Sequence, residues 1–111
     1  MRQFDFTSNI SQIIKYQDLT INSKNKKVYK KEEPISLTPR EYQLLEALAR
    51  HPGQVLSREE LIVLAWGYNY TGNSRAVDIY ITRLRQKVEE DPRQPRYILT
   101  IYGFGYQFGE E

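Results

Sequence analysis

The chain has 111 residues, 40% hydrophobic and 27% charged, which is typical of one folded domain with an ordinary small core rather than of a disordered segment. Its formal net charge is only +2, so bulk charge gives little reason to expect a nucleic-acid partner. The absence of cysteine excludes disulfides and cysteine-ligated zinc fingers and suits a reducing cytosol, so we expect a cytoplasmic location. No run approaches the roughly 18 apolar residues of a membrane span.

The first third of the chain alternates short apolar and polar patches. Residues 1–13 show no clean period and are interpreted as a tail or linker remnant, and the domain is predicted over residues 14–109. From Ile14 to Leu37 the alternation predicts a small antiparallel β-meander, with turns at residues 23–26 and 32–34.

Two helix starts follow, because the hydrophobic period changes from two to 3.6 after Leu37. Thr38 to Glu41 is a capping box with proline at the first helical position, and its helix should end at residues 51–53. Ser57 to Glu60 is a second capping box, and its helix should end at Trp66 and Gly67. The residues expected to face the core are Leu44, Leu45 and Leu48 in the first helix and Leu61, Leu64 and Ala65 in the second.

The segment 74–90 is the most informative stretch of the chain and is predicted to be a long helix capped by Ser74 and terminated by Asp91 and Pro92. At about 100° per residue, one narrow sector holds the apolar residues Val77, Ile81, Leu84 and Val88. The opposite sector holds Arg75, Ile79, Thr82, Arg83 and Gln86. The helix dipole disfavours a cation in the first turn, so an anionic partner is the simplest reason for Arg75.

A hairpin over residues 97–108, turning at Tyr102-Gly103-Phe104, closes the chain. The predicted fold class is therefore α+β: an N-terminal antiparallel β-meander, three helices and a C-terminal β-hairpin wing. Three helices followed by a hairpin is the layout of a winged helix-turn-helix, in which the third helix enters the major groove of DNA and the hairpin flanks it.

Several ordered motifs also resemble the effector domain of OmpR/PhoB-type response regulators. They are residues 37–42, residues 53–61, Trp66-Gly67, residues 75–78, residues 83–85, Asp91-Pro92 and residues 103–108. The resemblance covers about residues 14–109 and implies a cytoplasmic bacterial transcription factor. In that family a phosphorylatable receiver domain normally precedes this module. Since 13 residues cannot encode a receiver, we expect an excised domain rather than a standalone one.

The outward sector of helix 74–90 is where we expect base contacts, and the predicted residues are Ile79, Thr82, Arg83 and Gln86. Arg83 can donate two hydrogen bonds to a guanine edge, Ile79 can meet a thymine methyl, and a glutamine such as Gln86 suits adenine. The predicted phosphate contacts are Trp66, Arg75, Tyr80, Arg85, Lys87 and Thr100, of which Trp66 and Thr100 rest on the resemblance. Tyr80 could equally be half buried, and Arg85 could equally pair with Asp78.

The wing, with Tyr102 and Gly103 at its turn, departs from the family pattern. Tyr102 stands where relatives usually carry an arginine that enters the minor groove, and Gln107 also replaces a frequent arginine, so a weaker minor-groove preference is expected. The resemblance further implies that the loop 68–73 contacts RNA polymerase, through Tyr68, Asn69 and Tyr70. The isolated domain is expected to be monomeric and to pair on DNA.

Other functions remain open at this point. Catalysis is disfavoured, because His51 is the only histidine and no cysteine is present, so no cofactor or metal site is expected. A protein-interaction module without DNA binding is the stronger rival, since residues 38–111 are slightly acidic overall. RNA is less attractive, because the deep, narrow major groove of an RNA helix does not admit a reading helix.

Overall fold

A computed structural model describes residues 12–109, and chain contacts divide them into one unit ending at Ser36 and another starting at Leu37. Most of the predicted tail, residues 1–13, lies outside the described residues, and Ile13 already belongs to the first strand. No helix in the described part of the chain is long and apolar enough to cross a membrane.

The first unit contains an antiparallel sheet of four strands in chain order: β1 Ile13–Tyr16, β2 Leu19–Asn22, β3 Lys27–Lys30 and β4 Glu33–Ile35. The register aligns Ile14, Ile21, Val28 and Ile35 across the sheet, so one face is continuously aliphatic, and Ile21 and Val28 are buried. The predicted meander is confirmed.

One turn of the meander lies elsewhere than expected. The turn between β3 and β4 falls on Lys31 and Glu32, both with positive φ, whereas Glu33 and Pro34 are part of β4. A proline in the sequence suggests a turn, but β4 is an edge strand, where the missing N–H of Pro34 costs no ladder hydrogen bond.

In the second unit, α1 spans Pro39–Ala49 and begins with the predicted capping box. The Thr38 hydroxyl accepts from the Glu41 backbone N–H, and the Glu41 carboxylate accepts from the Thr38 N–H. Leu44, Leu45 and Leu48 are fully buried, as their spacing predicted.

Helix α2 also begins with its predicted capping box, formed by Ser57 and Glu60, but it changes geometry after one turn. Residues Arg58–Leu61 are α-helical, and Ile62–Trp66 form a π-helical turn that ends at Gly67. The expectation that Leu64 faces inward is wrong, because its side chain is 49% exposed. A π-turn closes its hydrogen bonds over five residues instead of four, so Leu64 rotates away from the core while Leu61 and Ala65 stay buried.

Helix α3 spans Arg75–Val88, slightly shorter than the predicted 74–90. Its stripe of Val77, Ile81, Leu84 and Val88 is fully buried, as predicted. Ser74 makes no side-chain cap; the amide oxygen of Asn73 accepts from the Arg75 N–H instead, at 2.8 Å. At the other end, Glu89 is already extended, so the helix stops before Asp91.

The hairpin consists of β5 Ile98–Ile101 and β6 Gly105–Phe108, which pair antiparallel. Leu56, just before α2, exchanges two backbone hydrogen bonds with Tyr106 and so adds a one-residue third strand. Three helices and a hairpin in residues 37–109, preceded by a four-stranded antiparallel sheet, make the α+β winged helix-turn-helix fold that the sequence predicts.

Candidate nucleic-acid interface

The sector of α3 opposite the buried stripe lies at the surface. Its members, all exposed, are Arg75, Ile79, Thr82, Arg83 and Gln86. Ile79 is 52% exposed, an unfavourable position for a branched aliphatic side chain in water. Within residues 12–109 neither Arg75 nor Arg83 has an ion-pair partner, so both guanidinium groups are available to an anionic ligand.

Arg85 has hydrogen-bond partners in the hairpin. Its guanidinium donates to the Ile98 carbonyl oxygen at 3.0 and 2.8 Å and to the Thr100 hydroxyl at 2.7 Å. The ion pair between Arg85 and Asp78 that the sequence allowed does not form, because the Arg85 guanidinium is bonded to the hairpin and the Asp78 carboxylate is bonded to other partners. Arg85 therefore holds the start of β5 against α3.

Lys87 also has an internal partner. Its ammonium lies 2.7 Å from a carboxylate oxygen of Glu41, whose side chain is almost fully buried. Burial raises the pKa of the Glu41 carboxyl, but the hydrogen bonds from Lys87 and from the Thr38 backbone outweigh it and hold that pKa below its ordinary value. The pair joins α1 to the last turn of α3 and keeps a buried carboxylate compensated.

Asp78 connects three elements, a role that the sequence did not reveal. Its carboxylate receives two hydrogen bonds from Arg58 of α2, at 3.3 and 3.0 Å, and one from the hydroxyl of Tyr106 in β6, at 2.7 Å. Burial, followed by the hydrogen bond to Asp78, raises the pKa of the Tyr106 hydroxyl to about 12. These bonds fix the hairpin relative to α2 and α3.

An aromatic cluster lies where α1, the end of α2 and α3 meet. The half-buried Trp66 packs edge-on against Tyr80, with 5.5 Å between ring centroids, and the Arg40 guanidinium lies 5.0 Å from the Trp66 ring. Tyr80 is half buried, which is one of the two alternatives that the sequence left open for it. On its other side the Arg83 guanidinium lies 4.9 Å from the Tyr80 ring.

The wing tip is aromatic and well exposed. The side chain of Tyr102 is 88% exposed and that of Phe104 73%, while Gly103 between them takes a positive φ of 88°. Both rings border an open cleft with a volume of about 400 Å³, which Arg58, Asp78 and Thr100 also line. The predicted wing residues did not include Phe104, although the sequence shows two aromatic residues in the hairpin turn.

The loop between α2 and α3 exposes one tyrosine and retains the other. Tyr68 is 88% exposed, and Asn69 is exposed beside it. Tyr70 instead packs on Trp66, with 6.0 Å between ring centroids, and its hydroxyl donates to the Asn73 carbonyl oxygen at 3.2 Å. Among residues 12–109, no group of three His, Cys, Asp or Glu side chains could hold a metal ion.

Comparisons with known proteins place these features in one family. The family described as "Transcriptional regulatory protein, C terminal" matches residues 32–108. The response regulator DrrB of Thermotoga maritima, an OmpR/PhoB homologue, is 37% identical with a TM-score of 0.82 over 88% of this chain. This chain spans only 44% of DrrB.

Two isolated domains are matched over nearly their whole length. The DNA-binding domain of RstA from Klebsiella pneumoniae, solved in complex with the RstA box, is 34% identical with a TM-score of 0.80, over 88% of this chain and 97% of that one. The DNA-binding domain of CpxR from E. coli is 30% identical with a TM-score of 0.76, over 88% and 96% respectively. The chain belongs to the OmpR/PhoB-type family of transcriptional regulatory protein C-terminal domains.

Proposed function

We propose that this chain binds specific sequences of double-stranded DNA and regulates transcription as the output domain of a bacterial two-component response regulator. The observation that carries the proposal is the exposed face of α3 beside a hairpin, where Ile79 is exposed and where Arg75 and Arg83 have no ion-pair partner among residues 12–109. The similarity to the RstA domain, which was solved with its DNA box, supports it.

The exposed sector of α3 is assigned to base reading in the major groove. Arg83 lies near the middle of the sector and carries the planar donor pair that matches the edge of guanine. Ile79, one turn earlier, offers an apolar contact to a thymine methyl, and Thr82 and Gln86 offer adaptable hydrogen bonds. From Ile79 to Gln86 the helix would then present about two turns to the groove.

Contact with the phosphate backbone of DNA is assigned first to Arg75 at the start of α3 and to the half-buried Trp66. Like Trp66, which contacts Arg40 and Tyr80, the other residues predicted to contact phosphate have internal partners: Tyr80, Arg85, Lys87 and Thr100. Their main contribution is to hold the interface in shape, so we rank them behind Arg75 in contact with phosphate.

Arg83→Ala should relax the preference for one base pair of the binding site by about 5- to 150-fold, because a bidentate contact to a guanine contributes roughly 1–3 kcal/mol of discrimination. Arg75→Ala should instead weaken binding to all sequences alike and flatten the salt dependence by about one unit of slope. Selection from random oligonucleotides, followed by anisotropy titrations at several salt concentrations, measures both effects.

Arg50→Ala, at the far end of α1, removes the same charge outside the proposed interface and should change neither quantity. The proposal fails if the wild-type domain shows no sequence preference and no salt dependence, the result expected of a module that binds only protein. The division of roles fails if Arg83→Ala and Arg75→Ala reduce affinity by the same factor on every sequence.

For the wing we propose contact with the minor groove through Tyr102 and Gly103 without a cation. No lysine or arginine occurs between Ile98 and Phe108, so the hairpin neutralises no phosphate. A wing of this kind should contribute apolar contact that salt does not weaken.

Tyr102→Arg should tighten binding at low salt and steepen the slope of log affinity against log salt by about 0.9, because one added cation releases about one counterion. Anisotropy titrations between low and moderate salt measure the slope, and Tyr102→Leu is the uncharged control. An unchanged slope in Tyr102→Arg would mean that the wing tip does not approach DNA.

Further partners follow from the family. We propose that the domain defined as residues 14–109 follows a receiver domain in the full-length protein and that this protein is located in the bacterial cytoplasm. We also propose that two copies of the domain pair on DNA half-sites about one helical turn apart. The loop 68–73 is assigned to RNA polymerase; the exposure of Tyr68 supports this, whereas Tyr70 is occupied by Trp66 and Asn73.

A further inference from the structure

Four side chains from three helices form one contiguous stack, in which two aromatic rings lie between two cations. Arg40 of α1 lies 5.0 Å from the ring of Trp66, which ends the π-turn of α2. Trp66 meets Tyr80 of α3 at 5.5 Å and 77°, and Tyr80 meets the Arg83 guanidinium at 4.9 Å. Each distance falls within the range at which rings attract one another or a cation.

The inner end of the stack is anchored. Arg40 donates from Nη1 to the Ala65 carbonyl oxygen at 2.6 Å, so its guanidinium is fixed against the end of α2. Arg40 also occupies the first turn of α1, where the helix dipole disfavours a cation. The Ala65 carbonyl oxygen and the Trp66 ring both attract the guanidinium and so compensate for the unfavourable helix dipole. The fixed guanidinium in turn holds the Trp66 indole in place.

The outer end of the stack is the residue assigned to base reading. Tyr80 and Arg83 are three residues apart on α3, so their side chains are neighbours on the helix surface. Among residues 12–109 no carboxylate pairs with Arg83, which leaves the Tyr80 ring as its one contact that holds the guanidinium. A long side chain held before binding loses less rotamer freedom when it contacts a ligand.

We infer that Tyr80 is a positioning residue, which holds the Arg83 guanidinium ready for its base contact and is itself held by the stack of Trp66 and Arg40. This role replaces the phosphate contact that the sequence suggested for Tyr80. It rests on the proposed function, because it requires Arg83 to contact a base.

The test is a double-mutant cycle between positions 80 and 83 on the selected DNA site. Tyr80→Leu removes the ring and should weaken binding about two- to fivefold, whereas Tyr80→Phe keeps the ring and should bind like the wild type. In the Arg83→Ala background Tyr80→Leu should have no further effect. Thermal unfolding of each variant shows whether it is folded at the assay temperature.

The outcomes separate the inference from the proposed function. An equal loss from Tyr80→Leu with and without Arg83 would overturn the positioning role, since the ring would then act on DNA or on the fold directly. A loss in Tyr80→Phe as large as in Tyr80→Leu would assign the contact to the hydroxyl and also overturn it. A wild-type domain that binds all sequences equally would overturn the proposed function itself.

Discussion

Glu89→Ala should lower the free energy of unfolding by about 3–5 kcal/mol, as much as the truncation of a large side chain in the core. The Glu89 side chain is buried at the end of α3, and its carboxylate accepts hydrogen bonds from three successive backbone N–H groups. The donors belong to Arg96, Tyr97 and Ile98, at 2.7 to 3.1 Å.

The reason for so large an effect is burial. Tyr97 and Ile98 are buried, so their N–H groups have no water to replace the lost acceptor, and each unpaired group costs roughly 1–3 kcal/mol. Removal of the side chain also leaves a cavity. Differential scanning calorimetry should show Tm lowered by roughly 12 °C or more, since each kcal/mol shifts a domain of this size by several degrees.

Glu90→Ala is the matched control, because Glu90 is the exposed neighbour of the same type and should change stability by less than about 0.5 kcal/mol. Glu89→Gln should fall between the two, since its amide retains one acceptor oxygen. Equal stability of Glu89→Ala and Glu90→Ala would show that water reaches the three N–H groups and that the carboxylate does not hold the wing.

What the sequence could predict were the features encoded locally. Both capping boxes lie within four residues, and the stripe from Val77 to Val88 repeats at the period of a helix, so α1, the start of α2 and the buried face of α3 followed from pattern alone. The exposed sector that contains Arg83 is the complement of that stripe, which is why the candidate site could be located.

What could not be predicted depends on distant partners. Arg58 and Tyr106 converge on Asp78 from 20 and 28 residues away, and Lys87 reaches Glu41 across 46 residues. Such pairings follow from packing and leave no periodic trace. They explain why charged residues of α3 that looked available for DNA turned out to be occupied within the domain.

The two ends of α3 show the same limit on a smaller scale. Ser74 and Asn73 are equally good caps by type, and it is Asn73 whose side chain reaches the Arg75 N–H. The sequence places Glu89 within the predicted helix. In the structure its carboxylate accepts hydrogen bonds from three backbone N–H groups of the following segment, and the helix ends two residues earlier than predicted. The choice among nearby polar residues is made by the segment that follows, which local propensity does not include.

Gly105→Ala should lower the free energy of unfolding by about 3 kcal/mol and detach the wing from the segment before α2. Gly105 has a φ of 147°, which side chains rarely adopt, and a Cβ there would overlap the carbonyl oxygen of Leu56. That oxygen accepts from the Tyr106 N–H at 2.9 Å, and the Leu56 N–H donates to the Tyr106 carbonyl at 2.8 Å. Both bonds must lengthen to admit the methyl group.

Gly103→Ala is the matched control, because Gly103 also has a positive φ, 88°, but its Cβ would meet nothing within 4 Å. It should therefore cost only the backbone strain, about 1 kcal/mol. Urea unfolding gives the two stabilities, and amide hydrogen exchange at Leu56 and Tyr106 should quicken only in Gly105→Ala. Equal costs for the two variants would show that the bridge adds nothing, and the wing would then be held to the helices through its other contacts, among them those with Asp78, Arg85 and Glu89.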